Sequence, residues 1–131
     1  MERRNVSSGS IWEPIVGYSR VVRMGPWIAV AGTTATNDEG RVVSPGDAYG
    51  QAMHILQKIS ASLAKAGARM KDVVRTRIFL TNIGDWEAVG RAHAEFFRDI
   101  RPVTTLVQVS RLIDPDMLVE IEADAIVADG A

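Results

Sequence analysis

Cysteine is absent from this chain, which excludes disulfides, thiol nucleophiles and thiolate metal sites together. Histidine occurs only at His54 and His93, with no HxxH or HExxH spacing, so no dedicated metal site is expected. No apolar run approaches the roughly 18 residues that a membrane-spanning helix needs. The opening MERRNVSSGS carries positive charge without an apolar stretch behind it, and a soluble, untargeted, cytoplasmic protein is expected, with no membrane partner. An excess of one charge is missing as well. The net charge is −1 and the pI near 6.1, with Lys and Arg spread along the chain, so a nucleic-acid partner is not expected. GxSxG, GxGxxG and GxxxxGK[ST] do not occur, which leaves serine hydrolase, dinucleotide and P-loop readings without a motif, and no cofactor is expected.

What remains suits one ordinary domain over residues 1–131, with 47% hydrophobic and 24% charged residues. Residues 1–17 read as an irregular lead-in pinned by Trp12, Glu13 and Pro14. Ser19–Met24 and Trp27–Ala31 flank Gly25–Pro26 as two strands of a hairpin, and Asn37–Gly40 signals another turn. Ser44 reads as the cap of a helix, with Pro45 in its first turn, Asp47 three positions on, and Gly67 as its end. Ala52, Ile55, Leu56, Ile59, Leu63 and Ala66 recur at helical spacing and need a sheet to cover. Val73–Thr81 alternates, with Val74, Thr76, Ile78 and Leu80 on one side and Arg75, Arg77 and Phe79 on the other. A second helix is predicted over about 85–98, burying Trp86, Val89, His93, Phe96 and Phe97, and two strands follow at Val103–Val109 and Met117–Val127. The order predicts an α+β domain with a mixed or antiparallel sheet and both helices on one face.

The last strand carries Glu120, Glu122 and Asp124 at spacing two, hence on one face. Arg75 and Arg77 are the cations suited to offset them across the sheet. Such a stripe is first of all a solvated or ion-paired sheet face, and its carboxylates sit too close together for a glycosidase pair. Phe79, Leu106, Leu118 and Ile126 are placed on the same face, and apolar groups there favour self-association. His93, on an aromatic stripe, reads first as a hydrogen-bonded core histidine and second as a catalytic one.

Arg101–Val127, reading RPVTTLVQVSRLIDPDMLVEIEADAIV, resembles the closing β-hairpin of the Rid (YjgF) family. The likeness extends back through VAGTT at Val30–Thr34 to GYSRVVRMG at Gly17–Gly25. It implies a chorismate-mutase-like, barrel-forming homotrimer that binds a small metabolite in clefts between subunits, in a family whose best-known members hydrolyse reactive enamines and imines. By the same resemblance, Tyr18 matches a cleft tyrosine, Gly32 a glycine whose amide approaches the ligand carboxylate, and Glu120 the carboxylate that positions water. The match is partial: a serine becomes Ala31, an asparagine becomes Gly90, and the arginine that holds the substrate carboxylate becomes Thr104. A neutral hydroxyl does not replace a planar bidentate clamp. Arg20 and Arg91, close in sequence to matched positions, are the candidates to supply a cation instead, with His93 as a further accessory residue. The implied activity is hydrolysis of an enamine, an imine or a related C–N bond. A non-catalytic ligand-binding protein on the same scaffold and an aminomuconate-type deaminase are the alternatives.

Overall fold

The computed structural model describes residues 1–128; residues 129–131 of the expected domain lie outside the described residues. Six strands form one sheet: β1 (Arg3–Val6), β2 (Val21–Met24), β3 (Trp27–Thr34), β4 (Val73–Leu80), β5 (Val103–Gln108) and β6 (Val119–Ile126). Three α-helices accompany them: α1 (Trp12–Val16), α2 (Ala48–Lys65) and α3 (Trp86–Phe97). The sheet order is β1-β2-β3-β6-β4-β5, antiparallel except where β4 and β5 run parallel. The last two strands are therefore not a hairpin, as the resemblance implied. β4 lies between them, and α3 supplies the crossover that a parallel pair requires.

Residues 1–17 are more ordered than expected. Arg3–Val6 adds a fully paired edge strand to β2, and residues 12–16 form a short helix closed by Gly17 at φ 88°. The β2–β3 hairpin forms where expected, with Met24 opposite Trp27 and Gly25 at φ 56° opening its two-residue turn. Strand β3 continues past Ala31 to Thr34 through an irregularity between Val30 and Thr33.

Helix α2 starts later than the Ser44 reading. Ser44 sits at φ 50° in a preceding turn, and Asp47 is the cap, its carboxylate accepting from the Gly50 amide at 2.9 Å. At the other end Gly67, at φ 80°, donates to Ala64 and lets the chain reverse. Buried Arg23 reaches across from β2 and donates to the Ala66 carbonyl at 2.6 Å, placing a cation on the negative end of the helix.

The core is one layer of side chains between sheet and helices. Ile28, Val30, Ile78, Leu80, Val119 and Ile121 meet Ile55, Leu56, Ile59 and Leu63 of α2 and Val89, Ala92 and Phe97 of α3. Each Val, Leu, Ile or Phe side chain among them contributes about 1.5–3 kcal/mol when fully buried. Four expected placements change. A bulge between Val73 and Arg75 turns Val73 inward and leaves Val74 41% exposed. Trp86, at the first turn of α3, is 54% exposed, and the buried stripe is Val89, Ala92 and Phe97. Leu106, opposite Ile78, and Leu118 pack against the core instead of lying on the helix-free face. That face carries Phe79 and Ile126 as expected, together with exposed Trp27, Val103 and Val107.

Arg77 meets the carboxylate stripe directly, with Nη1 at 3.2 Å from Glu122 and 3.3 Å from Asp124. Arg75, although opposite Asp124 in register, makes no ion pair with it.

Candidate functional site

The residues singled out by sequence fall into two groups on opposite faces of the sheet. Glu120 alternates with Val119 and Ile121, which are buried under the helices, so its carboxylate projects from the helix-free side. Thr104 pairs with Thr76, itself fully buried beneath α3, and so faces the helix side at the edge of the sheet. No single chain brings Thr104 and Glu120 together.

Around Glu120 the bulge in β3 sets the geometry. A Cβ on Gly32 would fall on the Glu120 carboxylate, so only glycine lets that carboxylate lie against the strand. Burial raises the Glu120 carboxyl above its ordinary value, neighbouring Glu122 adds to the rise, and Arg20 opposes it. Arg20 is already committed: Nη1 donates to the Gly32 carbonyl at 2.8 Å and to Thr33 Oγ1 at 3.0 Å, and Nη2 lies 3.4 Å from Tyr18 Oη. Its guanidinium also approaches the Tyr18 ring, 5.7 Å from the centroid. Tyr18, Arg20, Gly32 and Glu120 thus form one cluster, and Ala31 lies within the same irregular stretch of β3.

Lys58 and Arg111 were not singled out by sequence. Lys58, from α2, donates to Thr34 O at 2.8 Å and to Thr36 O and Oγ1 at 3.1 Å, using all three of its protons to tie the end of β3. Burial pushes it down to about 8, with Arg20 adding to the shift and Asp38 opposing it. Arg111, Leu112 and Ile113 of the loop before β6 face Glu120 across an open cavity of about 550 Å³. Nothing in the spacing of Arg111 marks it, because its relation to Glu120 depends on the path of that loop.

On the opposite face a hydrogen-bonded chain runs from α3 through β4 to β5. His93 Nε2 lies 2.9 Å from Thr76 Oγ1, which lies 2.8 Å from Thr104 Oγ1. Burial lowers the His93 pKa, favouring a neutral ring that both donates and accepts. His93 also stacks obliquely on Phe97, centroid to centroid 4.6 Å. His93, Phe97 and Thr104 border a groove of about 450 Å³ between the end of α3 and β5, with Arg98, Arg101 and Pro102 along it. Gly90 opens onto the same groove, and a Cβ there would meet no atom within 4 Å. Arg91 is turned away from it, its guanidinium 5.8 Å from the Tyr49 ring centroid. Among the described residues, no group of three or more His, Asp or Glu is placed to hold a metal ion, and no helix is long and apolar enough to cross a membrane.

A family model described as Endoribonuclease L-PSP matches residues 9–127. The chain is 41% identical over 122 residues to an uncharacterized protein of Streptomyces coelicolor, covering 93% of this chain and 90% of that one. It is 35% identical over 112 residues to the 3-aminoacrylate deaminase RutC of Acinetobacter baylyi, covering 86% and 88%. Among solved structures, a member of the YjgF/YER057c/UK114 family from Mycobacterium tuberculosis superposes with a TM-score of 0.87 at 51% identity, over 96% of this chain and all of the other. A match across nearly the whole described chain, with the same fold in a relative at this identity, makes the chain a member of the Rid (YjgF) family.

Proposed function

We propose that the protein works as a homotrimer whose inter-subunit clefts bring the Thr104 groove of one protomer to the Glu120 cluster of the next, and that the composite site hydrolyses a C–N bond of an enamine or imine. The observation that carries this reading is the Glu120 carboxylate, half-buried, raised in pKa and seated on a glycine that leaves it room. A carboxyl tuned upward is a better general base near neutrality than an ordinary one. It takes a proton from water as the oxygen attacks the C=N carbon of an imine, or of an enamine's imine tautomer, and returns that proton to the nitrogen. The resulting carbinolamine then expels ammonia and leaves a carbonyl. The deaminase named among the relatives supports the reaction class. Exposed Trp27, Val103, Val107 and Ile126 on the helix-free face support assembly. The net charge of −1 gives no support to a nuclease, despite the name of the family model.

The test is ammonia release from 3-aminoacrylate and 2-iminobutanoate by the native protein and by Glu120→Gln, with sedimentation at micromolar concentration alongside. Turnover that depends on Glu120 in a trimer supports the proposal. A stable monomer removes the composite site. The neutral side chain of Thr104 favours a second reading, a non-catalytic binder of small metabolites, which predicts no release of ammonia while the trimer persists. An aminomuconate-type substrate is the remaining enzymatic alternative and belongs in the same assay.

A further inference from the structure

The groove beside Thr104 holds two cations that no described residue answers. After α3 ends at Phe97, the Arg101 amide donates back to the Phe97 carbonyl at 2.8 Å, with Arg101 at φ 58°. Left-handed backbone at such a capping position suits glycine or asparagine, and a larger side chain is strained there. An arginine occupies it nonetheless, and Pro102 behind it already stops the helix. Its guanidinium makes no hydrogen bond or ion pair with any described residue, and neither does that of Arg98. Asp99 lies between them in sequence but bridges to neither. Both arginines line the groove, and no carboxylate lines it with them. The remaining surface is apolar at Ala94, Phe97 and Pro102 and polar at His93 and Thr104, around a volume of small-metabolite size.

We propose that this groove binds a small organic dianion, gripped by Arg98 and Arg101, with the His93–Thr76–Thr104 chain hydrogen-bonding its polar centre. Anion capture rests on this protomer alone. Only its coupling to hydrolysis rests on the inter-subunit reading above, and there it selects a substrate carrying a second charged group. The strain at Arg101 then has a functional counterpart, since a position that would be more relaxed as glycine keeps a guanidinium at the mouth of the groove.

Calorimetric titration of the full chain with succinate and with glycerol 3-phosphate separates carboxylate from phosphate-ester recognition, and succinamide is the uncharged control. At least one of the two anions is expected to bind and succinamide is not. Arg98→Gln and Arg101→Gly should each weaken anion binding about tenfold or more. Arg101→Gly should melt at the same or a higher temperature, a combination that an arginine serving only to cap the helix would not give. Failure of both anions to bind, or binding indifferent to both substitutions, overturns the proposal, as does a lower melting temperature for Arg101→Gly. Anion binding without ammonia release would count against the hydrolase reading and leave this one standing. Ammonia release without anion binding would do the reverse.

Discussion

Replacing Gln51 with leucine should unfold the protein at a much lower temperature, although the substitution adds apolar bulk to an apolar helix face. Gln51 is fully buried on α2. Its Nε2 donates to the Asp116 carbonyl at 2.9 Å and to the Ser44 carbonyl at 3.3 Å, and its Oε1 accepts from the Leu118 amide at 2.9 Å. One side chain thereby ties the turn before α2 to the last residues of the loop that leads into β6, the loop whose Arg111, Leu112 and Ile113 face Glu120. Leucine would orphan the Leu118 amide and the Asp116 carbonyl, each at about 1–3 kcal/mol when buried. Partial rehydration of the loop lowers the sum to about 2–4 kcal/mol. With an unfolding entropy of about 2.1 cal/mol/K per residue, a chain of 131 residues loses roughly 3–4 °C per kcal/mol, hence about 7–14 °C in Tm. Differential scanning calorimetry measures this directly. Hydrogen exchange should show Leu118 losing protection before the core strands do. A Tm loss below about 2 °C would mean that the loop is not held by this side chain, and the structural basis for placing Glu120 would need another source.

Patterns contained within one element were legible in the sequence, while features that depend on several elements were not. The α2 face of Ile55, Leu56, Ile59 and Leu63 emerges as read, because one helical period fixes it. The carboxylate stripe and its Arg77 partner also follow from simple alternation. Alternation misassigns Val74, since a bulge shifts the period by one residue at the start of β4. It misplaces Leu106 because β5 takes its facing from a parallel partner, β4, and not from a hairpin with β6. Strand β1 was hidden because an exposed edge strand reading RRNV carries no apolar alternation. For the site, Thr104, Gly32 and Glu120 could be found from the motif. Their separation onto opposite faces could not, because it depends on the sheet order. The His93–Thr76–Thr104 chain spans three elements that only the crossover brings together.

Arg77→Ala removes two partly exposed ion pairs and leaves Glu122 and Asp124 facing each other, so Tm should fall by about 2–7 °C at low salt, from roughly 0.5–2 kcal/mol, and by less in 1 M salt; an unchanged Tm would show the stripe to be simply solvated. His93 has a folded pKa below its ordinary 6.5, so its contribution is complete above that pH and lost as the pH falls through the folded value; on going from pH 7.5 to 5 the native protein should lose more Tm than His93→Gln. Glu120 shifts the other way: with a folded pKa above 4.5, ionising it costs stability as pH rises, so Glu120→Gln should raise Tm at pH 7.5, with the gain vanishing toward pH 4. Thr104→Arg tests the composite site itself. Thr104 is exposed at the edge of the sheet, and Thr76 keeps its bond to His93 without it, so a longer side chain enters the groove at little cost to folding. If Glu120 of a neighbouring protomer completes the site, the new guanidinium should capture the carboxylate of 2-iminobutanoate. A charged hydrogen bond contributes roughly 1.5–3 kcal/mol, so kcat/KM for ammonia release should rise about 10- to 100-fold over the native protein. The gain should vanish in Thr104→Arg/Glu120→Gln. No gain in a variant that still assembles, or native turnover already high and indifferent to Glu120→Gln, would separate Thr104 from the chemistry and refute the composite site.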